Sequence, residues 1–168
     1  MGRWRPPPSP SSPYITAAGQ ARLQAELRDL WDRRAEVTRH LAAAAAEGDR
    51  SENAEYIYRK KELRGIDARI RYLQKRLPDL KVVTGTPAGA DRIFFGAWLT
   101  LARDNGPELV CRIVGADEID PEHNRISVDS PLARALLRRT FGDEVVVHTA
   151  NGSTQYTVVD IRYDEPAD

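Results

Sequence analysis

The chain has little cysteine and no long apolar stretch, and each shortage excludes a class of protein. Cys111 is the only cysteine among 168 residues, so no internal disulfide and no cysteine-based metal site can form. The longest apolar run, residues 41–46, is far shorter than the ~18 residues that a membrane helix requires. No apolar segment follows Arg3 and Arg5, so the N-terminus is unlike a secretory signal. We therefore expect a cytoplasmic protein without membrane contact.

Histidines are also scarce, and none lies in a recognisable catalytic or metal-binding arrangement. His40, His123 and His148 fall in different predicted elements, and none has a partner at metal-ligand spacing. The sequence contains no glycine-rich phosphate loop and no visible nucleophile with its base. The 41% hydrophobic and 30% charged composition is that of an ordinary globular protein, with room for one domain or two small ones.

Acidic and basic side chains are balanced overall, with 25 of each, but their distribution is uneven. Residues 14–82 hold 15 Lys and Arg against 11 Asp and Glu, a net charge of +4. Residues 83–168 hold 8 against 14, a net charge of −6. A basic half joined to an acidic half suggests that the two parts meet different partners, and the basic half could face nucleic acid.

The N-terminal half is predicted to form two helices after a disordered, proline-rich tail at residues 1–13. In residues 17–46, apolar side chains recur at spacings of three and four, as in a coiled-coil seam, with Arg34 interrupting the series once: Leu23, Leu27, Leu30, Val37, Leu41 and Ala44. Gly48 then supplies a helix stop. A second seam ends before Pro78 and consists of Tyr56, Leu63, Ile66, Ile70, Leu73 and Leu77.

Because the connection between the two helices is short, they must fold back antiparallel over residues 14–81. From residue 82 the apolar period changes to two, which predicts a small antiparallel β-sheet domain at residues 82–168. One short helix, at residues 131–138, is expected there with Ser130 as its cap. The fold class is α+β. The candidate strands are Phe94–Ala102, Leu109–Val114, Arg125–Val128, Glu144–Thr149 and Gln155–Tyr163.

Carboxylates cluster between the two predicted helices, where Asp49, Glu52 and Glu55 lie three residues apart. Such oxygen ligands suit a Mg²⁺ that is also held by water and phosphate. The same spacing fits a capping box, with Asp49 as the helix cap and Glu52 three residues later. Both interpretations are open. The acids are too few for a tight site, so any metal chemistry would need ligands from another molecule.

Basic residues follow on the second helix, and Arg59, Lys60, Lys61 and Arg64 are the ones nearest the turn. Together with neighbouring tyrosines they could hold a nucleic-acid backbone beside the acidic tip. The plainer alternative is a solvated helix face whose charge is partly offset by nearby acids.

Several blocks of this sequence resemble the Gre transcript cleavage factors of bacterial RNA polymerase. The residues from Gly48 to Tyr56 are similar to the tip of that family. Phe95-Gly96-Ala97, Arg112–Gly115, Ile126–Pro131 and Ala133–Leu136 are similar to its C-terminal domain. Leu30-Trp31, residues 49–53 and residues 66–73 place the chain nearer the GreB branch than the GreA branch.

The resemblance implies an accessory factor, not an enzyme, whose coiled coil enters the secondary channel of the polymerase. Asp49 and Glu52 match the acidic pair that helps hold a Mg²⁺ shared with the polymerase and orients the attacking water. Asn53, Glu55 and Tyr56 would support the tip. The polymerase then cleaves backtracked RNA and so rescues arrested complexes. Arg59, Lys60, Lys61 and Arg64 are the candidates for holding the extruded RNA 3′ end.

The resemblance also implies a C-terminal domain with an FK506-binding-protein-like fold that docks on the channel rim. Asp129, Ser130 and Pro131 match the contacting loop, and we expect a monomer. One departure is that Thr16 is followed by Ala17-Ala18-Gly19 without the family's acidic residue, which should weaken the first helix cap by roughly 1 kcal/mol.

Three other functions compete with this interpretation. The first is a secondary-channel regulator of the polymerase that does not stimulate cleavage, against which the retained Asp49 and Glu52 argue. The second is a stand-alone enzyme, either a metal phosphodiesterase at the tip or a prolyl isomerase in the C-terminal domain. The third is a structural coiled-coil adaptor, which would tolerate removal of the tip charges.

Overall fold

The computed structural model describes residues 10–46, 54–104 and 106–164, and these residues form two compact units. The helical unit comprises residues 20–80. The sheet unit comprises residues 10–19 together with residues 81–164. Residues 14–19, which we assigned to the hairpin from the sequence, thus group with the sheet. No helix in the described part of the chain is long and apolar enough to cross a membrane.

Two long helices make up the hairpin. Helix α1 is Ala17–Ala46, the span that the apolar spacing predicts, and helix α2 is Ala54–Arg76. A single 3₁₀ turn, Leu77–Asp79, follows α2 where Pro78 prevents its continuation. The predicted seams pack together, because Val37 of α1 is buried against Ile66 and Ile70 of α2. Leu27, Leu30 and Leu63 are partly buried around them.

Ion pairs between the helices show that the hairpin is antiparallel. Glu26, early in α1, pairs with Arg69 late in α2 at 2.6 Å. Further along α1, Arg34 pairs with Asp67 at 2.7 Å. Residue numbers therefore rise along α1 while those of the paired residues fall along α2. The second pair also explains why an arginine interrupts the apolar seam at position 34: its guanidinium leaves the interface to meet a carboxylate.

A five-stranded sheet forms the larger part of the other unit, with the spatial order β5-β4-β3-β7-β6. The bounds are Trp98–Arg103 (β3), Gly106–Val114 (β4), Arg125–Ser127 (β5), Glu144–Thr149 (β6) and Gly152–Arg162 (β7). Three of the four strand pairs are antiparallel, but β4 and β5 are parallel. The α+β prediction is confirmed, whereas the prediction of a wholly antiparallel sheet is wrong at this pair. The chain between these strands, residues 115–124, returns to the starting end of β4, so β5 enters in the same direction.

Two short strands that the sequence did not predict tie the start of the chain to the sheet unit. Strand β1, Tyr14–Thr16, pairs in parallel with β2, Lys81–Val83. Just before β1, the Pro13 carbonyl accepts a hydrogen bond from the Lys81 amide at 2.8 Å. Residues 10–13, the end of the predicted tail, are therefore partly held by hydrogen bonds, and residues 1–9 lie outside the described part.

The sheet core is built from alternating residues of the central strands. Leu99, Leu101 and Ile113 are fully buried there and pack with Leu136 of helix α3, Pro131–Leu136. That helix ends two residues earlier than predicted, because Arg138 adopts a positive φ of 69°. Strand β3 likewise starts later than predicted, because Gly96 has a φ of 88° and interrupts extended backbone before Trp98.

Candidate functional site

The predicted acidic tip lies between the two hairpin helices. Asp49, Glu52 and Asn53 fall outside the described residues. Glu55 is described, is exposed, and lies in the first turn of α2, where the helix dipole favours a negative charge. Tyr56 is half-buried, and the Lys60 ammonium lies 5.8 Å from the centre of its ring. Within residues 10–46, 54–104 and 106–164, no three acidic, histidine or cysteine side chains come together to hold a metal ion. A Mg²⁺ would need carboxylates from the connection itself and further ligands from a partner.

The four predicted RNA-binding cations differ in their surroundings. Lys60, Lys61 and Arg64 are exposed, and none of them forms an ion pair with another described residue. Arg59 is mostly buried, and its Nη1 donates to Glu62 Oε2 at 3.1 Å. The structure therefore brings three of the four cations to the surface of α2 and holds the fourth against the hairpin.

Glu62 connects the two helices beside this basic stretch. Its Oε1 accepts from Arg33 of α1, at 2.9 Å from Nε and 2.6 Å from Nη2. Its Oε2 accepts from Arg59 of its own helix. Hydrogen bonds from Arg33 lower the pKa of Glu62 below its usual 4.5, and the bond from Arg59 acts in the same direction. The carboxylate therefore stays ionised at neutral pH and binds two arginines together.

The predicted polymerase-binding loop, Asp129-Ser130-Pro131, lies at the start of α3. The Ser130 hydroxyl accepts a hydrogen bond from the Ala133 amide at 3.2 Å and so caps the helix, as predicted. Asp129 Oδ2 accepts from the Ser12 amide at 2.9 Å. Pro131 is exposed. Two of the three residues thus have structural partners, and the proline is the most accessible of them.

An apolar groove borders this loop. It has a volume of about 370 Å³, and Ser130 lines one side of it. Ile119, which lines another side, has 56% of its surface exposed. An exposed apolar groove on a small sheet is the kind of surface that receives an apolar side chain of a protein partner. Its other apolar lining residues include Leu109, Pro121 and Ile126.

A buried carboxylate, Glu118, lies at the start of α1, and sequence analysis did not identify it. Glu118 is only 2% exposed. Its Oε2 accepts from the amides of Thr16 at 3.0 Å and Gly115 at 2.9 Å, and its Oε1 accepts from the Thr16 hydroxyl. The same hydroxyl accepts from the Gly19 amide at 3.0 Å and so caps the helix.

This arrangement corrects the expectation of a weakened first cap. The carboxylate that the sequence lacks near Thr16 comes from Glu118, 102 residues later in the chain. Glycine at position 19 leaves room for it, since a Cβ there would overlap the Glu118 carboxylate. In the sequence, Gly19 is therefore the residue that indicated a carboxylate from elsewhere in the chain, because it lies where a capping box has its own acidic residue.

Family models and named relatives match most of the chain. Residues 13–82 match the family described as "Transcription elongation factor, N-terminal", and residues 87–163 match "Transcription elongation factor, GreA/GreB, C-term". The chain is 54% identical to transcription elongation factor GreB of Pseudomonas aeruginosa, over 97% of this chain and 98% of that protein. It is 55% identical to GreB of Xanthomonas axonopodis pv. citri, with the same coverage. A crystal structure of GreA factor homolog 1 of Thermus thermophilus matches 89% of this chain and 97% of its own, with 26% identity and a TM-score of 0.41.

Proposed function

Because this chain belongs to the GreA/GreB family of transcription elongation factors, we propose that it inserts its helical hairpin into the secondary channel of bacterial RNA polymerase. There it stimulates the polymerase's own cleavage of backtracked RNA and rescues arrested complexes. Two observations together support this proposal. Two family models match nearly the whole chain, and the connection between the hairpin helices contains Asp49 and Glu52. The factor acts as a monomer in the cytoplasm, where RNA polymerase is also found.

At the tip, Asp49 and Glu52 would hold a Mg²⁺ together with ligands from the polymerase. When bound, that ion would supply a lowered pKa for bound water and neutralisation of charge on the scissile phosphate. Two carboxylates are too few for a tight site of their own, and the described residues offer no further acidic cluster. This shortage supports an accessory role, in which the factor completes a site and does not contain one.

Lys60, Lys61 and Arg64 hold the backbone of the extruded RNA 3′ end. All three are exposed on α2, beginning within two turns of its first residue. Their charges are not neutralised by ion pairs to other described residues, so they are available for phosphates. This is the support for placing RNA on this side of the hairpin.

The sheet unit docks on the rim of the channel through the Asp129-Ser130-Pro131 loop. The apolar groove beside the loop would accept an apolar side chain from the rim, while the net negative charge of this half suits a basic surface around it. Ile119 is the residue to test, because it is exposed and lines the groove.

A cleavage assay tests the central proposal. Backtracked elongation complexes are given Mg²⁺ and the protein, and shortening of the RNA is followed with time. We expect wild-type protein to shorten the RNA, and Asp49→Asn or Glu52→Gln to abolish the effect while binding to polymerase stays unchanged. Asp32→Asn is the matched control, because it removes an equal charge from an exposed position on α1.

Two outcomes of that assay would replace the proposal. If wild-type protein binds polymerase without shortening the RNA, the chain is a channel-binding regulator that does not stimulate cleavage. If it shortens RNA when no polymerase is present, it is an enzyme in its own right.

Binding measurements with purified polymerase test the docking surface separately. Ile119→Asn should weaken polymerase binding about tenfold, which is typical for loss of one apolar anchor at an interface. Phe141→Asn is the control, because Phe141 is 73% exposed on the sheet unit and does not line the groove. Equal affinity of the Ile119 variant and wild type would exclude the groove from the interface.

A further inference from the structure

A chain of ion pairs runs from α1 to the first turn of α2. Arg33 of α1 donates through Nη1 to Glu36 at 2.7 Å and through Nη2 to Glu62 at 2.6 Å. Glu62 accepts on its other oxygen from Arg59, and Arg59 Nε lies 3.5 Å from Glu55 Oε1. We call this set of five residues the ion-pair chain. It crosses between the helices once, at Glu62, and ends at Glu55, two residues into α2.

Arg59 is the residue of this chain that links Glu62 to Glu55, and it is the least like a solvent-exposed cation. Its side chain is 20% exposed, and that of Glu62 is 18% exposed. Its guanidinium also lies 5.6 Å from the centre of the Tyr58 ring. Partial burial reduces screening by salt, and the planar guanidinium can contact two carboxylates at once. Arg59 is thus hydrogen-bonded to Glu62 through Nη1, whereas its buried Nε makes only a charge contact with Glu55 and no hydrogen bond.

A phosphate contact by Arg59 would disrupt these neighbours. Turning the guanidinium outward would remove one of the two arginines from Glu62 and leave Glu55 without its cation. Lys61 and Arg64, in contrast, are exposed and have no ion pair with a described residue to break. Binding RNA through Arg59 is therefore the least favourable choice among the basic residues near the tip.

We propose that Arg59 is a positioning residue: it ties the first turn of α2 to α1 through Glu62, holds Glu55, and does not contact RNA. This inference rests on the proposed function, because the connection that carries Asp49 and Glu52 joins α2 at Ala54. If the first turn of α2 frays, the carboxylates just before it lose their fixed starting point. Small displacements of groups at a reacting centre have large effects on rate.

Substitution of Arg59 by lysine separates positioning from RNA binding. Lysine keeps a charge for a phosphate but cannot bridge two carboxylates as the guanidinium does. We expect Arg59→Lys and Arg59→Gln both to lower the maximal cleavage rate, on the order of tenfold, with unchanged affinity for polymerase. Arg71→Lys, the matched control at an exposed position of α2 well after its first turn, should cleave like wild type. Wild-type cleavage by Arg59→Lys would overturn the positioning role and favour a phosphate contact.

Hydrogen exchange on the free protein gives a readout that needs no polymerase. The amides of Tyr58 and Lys60 are among the first in α2 that can bond within the helix. They should exchange several-fold faster in Arg59→Gln and Glu62→Gln, and no faster in the double variant than in either single variant, since both changes break one link. If exchange responds but wild-type protein does not stimulate cleavage, the proposed function fails and the anchoring of α2 stands. Unchanged exchange in both single variants would overturn the positioning role itself.

Discussion

Replacing Gly19 by alanine should destabilise the protein, although alanine is the better helix former. Gly19 lies in the first turn of α1, and alanine in a helix is favoured over glycine by roughly 1 kcal/mol. A Cβ at this position, however, would overlap the carboxylate of Glu118. The buried carboxylate would have to move away from the amides and hydroxyl that it binds. Propensity and packing therefore predict opposite signs.

The size of the effect follows from the hydrogen bonds at stake. Glu118 accepts three, two from the amides of Thr16 and Gly115 and one from the Thr16 hydroxyl. Each buried donor left without an acceptor costs about 1–3 kcal/mol. If displacement breaks one or two of the three bonds, at a mid-range cost of about 2 kcal/mol each, the loss is about 2–4 kcal/mol. After the gain in propensity, Gly19→Ala should lower the free energy of unfolding by about 1–3 kcal/mol.

Gly65→Ala in α2 is the matched comparison, because a Cβ at Gly65 meets no other atom within 4 Å. It should raise stability by about 1 kcal/mol through propensity alone. Thermal unfolding followed by calorimetry, at one protein concentration, measures both variants against wild type. A Gly19→Ala protein that is as stable as wild type, or more stable, would refute the argument that Glu118 needs the space above this glycine.

Three further predictions concern groups away from Glu118 and Gly19. Because the pKa of Glu62 is lowered in the folded protein, its stabilisation is present above pH 4.5 and is lost as the pH falls through the depressed value; acid titration of helical circular dichroism should show this loss, and Glu62→Gln should flatten it. Burial raises the pKa of the Cys111 thiol to about 11, so alkylation at neutral pH should wait for unfolding; rapid labelling of native protein would contradict this. Ser130→Ala removes the cap of α3 and should cost about 1 kcal/mol in a urea titration, whereas an unchanged midpoint would show that the cap is dispensable.

The hairpin could be predicted from the sequence because its determinants are local and periodic. Apolar spacing from Leu23 to Ala44 identified α1, Gly48 indicated where it stops, and Pro78 marked the end of α2. Of the five predicted strands, Glu144–Thr149 has its predicted bounds, and the other four are displaced at one or both ends by one to four residues. Strands β1 and β2 were missed because three residues are too few to show a period, and their pairing joins residues far apart in the chain.

Sequence analysis missed the parallel β4–β5 pair and the hydrogen bonds of Glu118 for a related reason. Strand direction depends on the path of the intervening residues, and alternation of apolar side chains is the same in either direction. In the sequence, Glu118 is one of many acidic residues in residues 83–168, and only its burial against Thr16 distinguishes it from the others. An absence could have indicated it: a helix start with threonine but no nearby carboxylate, and a glycine in the place where one belongs.

The net charge of a segment is also a limited guide, because it does not show which cations the fold pairs with carboxylates. The net charge of +4 over residues 14–82 suggests a broad basic surface. In the structure, Arg33, Arg34 and Arg69 are committed to carboxylates of the opposite helix, and Arg59 is committed to its own. The described cations near the tip that stay exposed are Arg39 of α1 and Lys60, Lys61 and Arg64 of α2. The pairing of cations in the fold, and not the net charge of the segment, therefore determines which of them are open to a phosphate.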